Sequence, residues 1–493
     1  MMRLQQLSLP HTRKLLTLVA LCLLFLNGCA TNPVTGKNDF VLMSEDQEIA
    51  IGRENHPKIL QQYRKYDNPA LQAYVQTIGD ELARNSHRPN LVYRFTVLDS
   101  PEVNAFALPG GYIYITRGLL SYLNSEAELA AVLGHEIGHV TARHGVRQQS
   151  ANAATGLIAA IIAASTNVRG ANDALNALGT ALVRGYGRDH ELEADGLGAE
   201  YLAQSQYDPQ AMLKVIGVLK DQETFEKQLA KAEQRESRAY HGVFSTHPDN
   251  DKRLQGVIGK AEKLRRGTGQ RLNRDIFLKQ IDGLVFGDSE KDGIFRGQNF
   301  YHKDLRIAAT FPKGWRVKNL PDRLLAVAPK NAATLQMTVT DINRRISPRQ
   351  FMQTRLKLKN MRNGENVHQK GMKGYTAIAD ASTPFGKRDT RFIVLFYRDK
   401  AYIFAGAAKN ARKPFAFDNA IINTAKSFRP LRNKEIPLAT ALRINVIRNA
   451  NQNMSALAKS SRITNFPEEQ LRLLNGLYPT GEPRANQSLK IVK

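Results

Sequence analysis

At 493 residues the chain is too long for a single hydrophobic core, so two to four domains are expected. Hydrophobic residues at 42% and charged residues at 23% exclude a disordered or fibrous chain. The net charge of +25 calls for an anionic neighbour, yet no nucleic-acid-binding signature accompanies it, and no nucleic acid partner is expected.

Arg3, Arg13 and Lys14 precede an apolar run from Leu15 to Leu26 that is too short to span a bilayer. Residues 1–28 therefore read as a secretory signal. The run ends in Leu26-Asn27-Gly28-Cys29, which resembles the bacterial lipobox and implies a diacylglycerol on Cys29. The second cysteine, Cys22, lies inside the apolar run, so the mature chain has no disulfide, cysteine zinc site or cysteine nucleophile. Ala30 is not the aspartate that holds lipoproteins at the inner membrane. The resemblance thus implies the periplasmic face of the outer membrane in a Gram-negative bacterium.

Thr31 to Asn38 reads as a tether. Ser44 with Gln47 forms the pattern of a capping box at a helix start, and a second helix is expected from Pro69 to Asn85. Leu91 to Leu98 alternates like a strand, and Ala105 to Thr116 holds another after the turn Pro109-Gly110-Gly111. Helices follow from Ser125. Residues 151–182, rich in Ala, Gly and Asn, suit a packed helix or a lid over the cleft.

The chemistry lies in His135-Glu136-Ile137-Gly138-His139. Histidines four apart share one helix face and converge on one ion, and their ring nitrogens suit zinc. Glu136 lies about 100° further round, placed to take a proton from an attacking water rather than to ligate. A third ligand at the eleventh position of an extended motif fails, because Gly145 stands there and His144 is one residue out of register. Glu191-Leu192-Glu193-Ala194-Asp195 supplies the alternative, with Glu191 as ligand and Asp195 bonding a zinc histidine from behind. Glu193 falls elsewhere on that helix. His144, His190 and His241 read as packing or surface residues, and the sequence does not place Arg188 or Arg253.

These two motifs together resemble peptidase family M48, the gluzincins, and in particular its periplasmic lipoprotein and BepA-like members. Asn32-Pro33-Val34-Thr35-Gly36, Asn104-Ala105-Phe106-Ala107-Leu108-Pro109-Gly110-Gly111 and Ser245-Thr246-His247-Pro248 agree. The resemblance implies one Zn2+ per chain, held by His135, His139 and Glu191, with Glu136 as general base. It implies substrate pairing along Ala107 to Thr116, with Asn104, Ala105, Phe106, Gly110 and Gly111 at the substrate. It also implies a catalytic or zinc-capping role for His247.

Beyond a polar connector near 265–290, the chain promises a second unit over residues 290–432. Strands are expected at Ile307–Phe311, Leu324–Ala328, Leu335–Thr340, Phe392–Tyr397 and Ala401–Ala405, with helices at Pro348–Lys359 and Phe417–Phe428. The pattern weakly resembles PsbP-like domains and carries no catalytic cluster. Residues 438–493 run strand, helix, helix, strand and resemble a LysM module, which implies peptidoglycan as a further partner. The expected fold class is α+β: a peptidase domain over 29–270, an accessory domain and a terminal βααβ module. The expected function is a zinc endopeptidase acting on misfolded or misassembled envelope proteins, or alternatively a chaperone-like outer-membrane assembly factor with gated proteolysis.

Overall fold

A computed structural model describes residues 29–41, 43–151, 187–232, 250–264, 270–342 and 345–493. The signal segment, His241, His247 and most of the alanine-rich stretch after residue 151 lie outside the described residues.

The fold is α+β, as expected. Strands β1 (Cys29–Thr31) and β2 (Asn38–Phe40) form a hairpin whose turn is tied by the Asn32 side chain, which accepts from the Val34 and Thr35 N–H groups. Helix α1 (Glu45–Tyr63) opens at the expected capping box, Ser44 and Gln47 bonding reciprocally. Helix α2 (Pro69–Arg84) is capped by Asn68 and starts with proline, which suits a first turn that needs no N–H there.

Three strands follow: β3 (Arg94–Leu98), β4 (Ala105–Leu108) and β5 (Tyr112–Thr116). β5 is central, parallel to β3 and antiparallel to β4, which is therefore the sheet edge. Gly110 and Gly111 turn the hairpin at φ +78° and +85°, a region that costs glycine nothing. After α3 (Arg117–Tyr122) comes α4 (Glu126–Thr141), capped by Ser125 and buried along its whole length. Helices α5 (Arg188–Gln204) and α6 (Ala211–Ala232) pack beside it, and α7 (Asn250–Leu264) packs on α5 and α6.

The expected connector differs. Residues Arg274–Ile281 form a helix, α8, that buries Phe277, Leu278 and Ile281 in the core around α4. Polar neighbours such as Arg274, Asp275 and Lys279 hide this apolar face from a composition reading.

The second unit is built on a seven-stranded antiparallel sheet. In chain order its strands are β6 (Arg316–Leu320), β7 (Arg323–Val327), β8 (Ala333–Asp341), β9 (Arg362–Gln369), β10 (Met372–Thr383), β11 (Gly386–Tyr397) and β12 (Lys400–Ala408). Their spatial order is β6-β7-β8-β12-β11-β10-β9. Helix α9 (Pro348–Thr354) covers one face with Phe351 and Met352, and α10 (Asp418–Ser427) covers the other with Ile421 and Ala425. Each expected strand and helix in this unit has a counterpart, but the helix expected over Pro348–Lys359 ends at Thr354, and β6, β9, β10 and the strands Ile294–Arg296 and Asn299–His302 were not foreseen. β9 reads Arg-Asn-Gly-Glu-Asn-Val-His-Gln and is almost wholly exposed, so it has no apolar alternation to betray it.

The terminal segment has the expected order: β13 (Leu442–Arg448), α11 (Met454–Lys459), α12 (Pro467–Leu474) and β14 (Ser488–Val492), with β13 antiparallel to β14. Its Ile444, Leu489 and Ile491 belong to the same hydrophobic core as Leu129, Leu133 and Ile137 of α4. Lys490 is completely buried, and its Nζ donates to the carbonyls of Ser121 (2.7 Å) and Leu123 (2.6 Å), just before α4.

Candidate metal centre

Helix α4 carries His135, Glu136 and His139; helix α5 carries Glu191, Glu193 and Asp195. The two helices approach closely because small residues face each other. Gly134 meets Gly198, and a Cβ on Gly138 would lie 2.9 Å from the Ala194 carbonyl. A Cβ on Gly198 would lie 2.6 Å from Met212 and 2.9 Å from the His135 backbone nitrogen. Bulkier residues would hold α5 away from α4 and Glu191 away from the histidines.

The structure brings His135, His139 and Glu191 together, all buried, with one donor atom of each within 4.8 Å of the others. The two Nε2 atoms are 3.0 Å apart. Glu191 offers Oε2 at 3.5 Å to His135 Nε2 and Oε1 at 3.4 Å to His139 Nε2. Two imidazoles and a carboxylate make a zinc donor set that leaves a coordination position open.

The far sides of both rings decide whether those Nε2 atoms carry lone pairs. His135 Nδ1 lies 2.8 Å from Asp195 Oδ1, an acceptor that calls for the proton on Nδ1. Asp195 also accepts two hydrogen bonds from Arg253, at 2.8 and 2.7 Å. Burial pushes the Asp195 carboxyl up, but Arg253 and His135 outweigh it and hold it well below the usual carboxylate range. Arg253, which the sequence left unplaced, is a buried clamp on Asp195 and Glu191.

His139 is set by a longer chain. Glu193 Oε2 lies 3.0 Å from His144 Nε2, and His144 Nδ1 lies 2.8 Å from His139 Nδ1. A carboxylate only accepts, so His144 carries its proton on Nε2. Burial lowers the His144 pKa, and a neutral ring with its proton on Nε2 offers Nδ1 as acceptor to the His139 Nδ1–H. The His139 Nε2 lone pair then faces Glu191. The bond to His144, helped by Arg147, lowers Glu193 to about 2, which keeps it an acceptor. The structure thus corrects two expectations. His144 is no packing residue, and Glu193 is tied to the site. His190 stacks on His144 with ring centroids 4.3 Å apart.

Glu136 is buried in a wall that includes Ala105, Leu119, Val132, Met212 and Arg253. Glu136 follows His135 on the helix and lines the same cavity as His135.

The expected substrate residues separate. Tyr112–Thr116 is paired on both sides, so it cannot receive a substrate strand; of the expected segment only Ala107 and Leu108 belong to an edge strand, Ala105–Leu108. Ala107 and Leu108 line a small cleft with His139 and Val140. Asn104 is buried at the root of β4, its N–H donating to Thr116 Oγ1 at 3.1 Å. Gly110 and Gly111 are buried against α1 and Val92 and serve the turn instead of a substrate surface. Glu48 of α1 fastens that turn. It is buried between Arg88 (2.8 Å) and Arg143 (3.0 Å), and the Gly110 N–H is 3.4 Å from its Oε1. Phe106 stacks on Tyr114 at 4.9 Å between centroids, on the far face of the strand.

The model of peptidase family M48 matches residues 69–260. The chain is 30% identical over 249 residues to a beta-barrel assembly-enhancing protease of Yersinia pestis, covering 47% of this chain and 48% of that protein. It is 27% identical over 228 residues to the mitochondrial metalloendopeptidase OMA1 of Schizosaccharomyces pombe, covering 46% and 64%. The chain thus spans about half the length of the first relative and less than two thirds of the second. Among solved structures, PsbP of Synechocystis covers 28% of this chain and 95% of its own, at 15% identity and a TM-score of 0.22. Residues 69–260 of this chain form a domain of peptidase family M48.

Proposed function

We propose that the chain is a zinc-dependent endopeptidase of the bacterial envelope, with His135, His139 and Glu191 holding the metal. The observation that carries this reading is the convergence of both Nε2 atoms on the Glu191 carboxylate, with each Nδ1 committed behind. Zinc bound there supplies Lewis acidity, which acidifies a water and polarises a peptide carbonyl. Glu136 accepts the proton of the attacking water and returns it to the leaving amine. Ala105–Leu108 pairs with the backbone of an extended substrate, a mode that tolerates many sequences because it reads main chain. Asp195, with Arg253 behind it, and His144, with Glu193 behind it, hold the ring orientations.

The envelope assignment is supported by the lipobox-like Cys29 and by the name of the Yersinia relative, which also favours a second reading as an assembly factor with occasional proteolysis. Among the described residues no helix is long and apolar enough to cross a membrane, in keeping with attachment through a lipid. The βααβ order at 438–493 supports a contact with peptidoglycan.

Metal analysis and casein cleavage test the assignment. One zinc per chain is expected, and Glu136→Gln should abolish cleavage while retaining the metal. Cleavage that survives Glu136→Gln overturns the assigned base. Assembly activity that survives Glu136→Gln assigns the physiological role to the second reading.

A further inference from the structure

The charge of the chain is not spread evenly. Residues 290–432 hold 29 Lys and Arg against 10 Asp and Glu, so this stretch carries +19 of the total +25. Within it, seven of these cations sit together at one end of the seven-stranded sheet. That end is made of four segments: residues 312–315 before β6, 328–332 between β7 and β8, 384–388 from the β10–β11 turn into the start of β11, and 409–417 after β12.

The connections are physically joined. The Lys409 N–H bonds the Ala332 carbonyl at 2.8 Å, Arg388 Nε donates to the Lys409 carbonyl at 3.3 Å, and Trp315 packs edge-on to Phe417 with centroids 5.8 Å apart. They present Lys313, Lys330, Lys387, Arg388, Lys409, Arg412 and Lys413. None of Lys313, Lys330, Lys409, Arg412 and Lys413 forms an ion pair among the described residues. The acid nearest in sequence, Asp389, is bound to Arg362. The acids close to this end are already engaged: Asp418, where the 409–417 connection ends, holds Arg391, and Asp380 lies 3.8 Å from Lys387; at the other end Lys400 pairs with Asp341. Cations left unpaired at one end raise the local potential, and that repulsion is relieved only by an anionic partner.

Phe415 adds a second observation. It is 48% exposed, one of the few large apolar side chains left in solvent, and follows Arg412, Lys413 and Pro414. An exposed ring among cations matches a surface that is anionic outside and apolar just beneath, as an anionic bilayer is. The opposite end of the sheet faces the peptidase unit, where Lys291 pairs with Asp67 and Arg64 with Asp292 beside Leu320–Arg323. The basic end therefore points away from the M48 domain.

We propose that the 312–315, 328–332, 384–388 and 409–417 loops form a docking surface for a bilayer of anionic phospholipids, with Phe415 entering the headgroup layer. The surface acts independently of acylation at Cys29 and of peptidase activity. It fixes the side of the molecule turned to the membrane.

The test is vesicle flotation of the full chain carrying Cys29→Ser, with vesicles of phosphatidylglycerol and phosphatidylcholine against phosphatidylcholine alone. The quantity read is the excess on anionic over neutral vesicles, so any binding through the apolar run near residue 20 cancels. Reversing Lys409, Arg412 and Lys413 to Glu should lower the excess about tenfold or more at low salt. Reversing Lys318, Lys359 and Lys373 to Glu, the same change in net charge outside the loops, should lower it less than about threefold. Phe415→Ser should weaken binding without altering its salt dependence. Equal losses in the two triple variants overturn the proposal, since net charge alone then explains attraction. Unchanged vesicle binding alongside lost binding to peptidoglycan or nucleic acid overturns it too. Casein cleavage and the thermal midpoint, unchanged in both variants, show that the fold is intact.

Discussion

Glu193 reaches the metal centre only through another side chain, which makes His144 the residue whose loss is most informative. Removing it leaves His139 Nδ1 without the acceptor that sets its tautomer. His144→Leu should weaken zinc binding by about 10–100-fold, read by competition with a chelator, while Glu136 and the ligands stay in place. An unchanged affinity would reduce His144 to packing. Nothing in the spacing announced this role, because His144 is five residues past His139 and off the helical register. The backbone supplies the missing information: α4 ends at Thr141, and Arg143 adopts φ +55°, which turns the chain back so that His144 faces His139. A non-glycine residue in that conformation is not foreseeable from its type. The cluster of His135, His139 and Glu191 was legible in part, since helical spacing alone puts His135 with His139 and Glu191 with Asp195.

Helices α4 and α5 must touch for the site to exist, and glycine is what lets them. Gly198→Ala would press a methyl into the His135 backbone and Met212, so α5 should shift and take Glu191 with it. A displacement approaching 1 Å there should cost about a hundredfold in kcat/KM on casein-derived peptides. Gly217 of α6 is the contrast, with nothing within 4 Å of an added Cβ. Gly217→Ala should raise stability by about 0.5–1 kcal/mol in urea unfolding and leave activity alone. Elements with a cap and a clear period, such as α1 and α2, were legible before the fold was known. Those without one, β9 with two polar faces and α8 with three buried residues among charges, were not.

The whole molecule is less modular than its sequence suggests. The strand-helix-helix-strand order of residues 438–493 was readable, but the sharing of one core with α4 was not, because it joins residues hundreds of positions apart. Lys490 shows the depth of that union, since burial drives its pKa well down while Glu128 of α4 opposes. Lys490→Ala would leave Glu128 and two carbonyls buried without this partner. The expected loss is about 3–5 kcal/mol, read from the urea midpoint and accompanied by loss of cleavage. A marginal effect would show that the terminal strand merely rests on the domain. Deleting residues 438–493 should accordingly abolish proteolysis as well as any wall binding.

Strand β14 also bears on when the catalytic unit comes into being. Synthesis delivers a chain from its N-terminus, and early domains ordinarily fold while later ones are still being made. Here His135 and Glu136 emerge long before Leu489, Lys490 and Ile491, which close the core beneath their helix. A nascent chain therefore holds His135, His139 and Glu191 without the structure that aligns them. The candidate metal centre is completed as one of the last acts of folding, after the seven-stranded sheet has already been made.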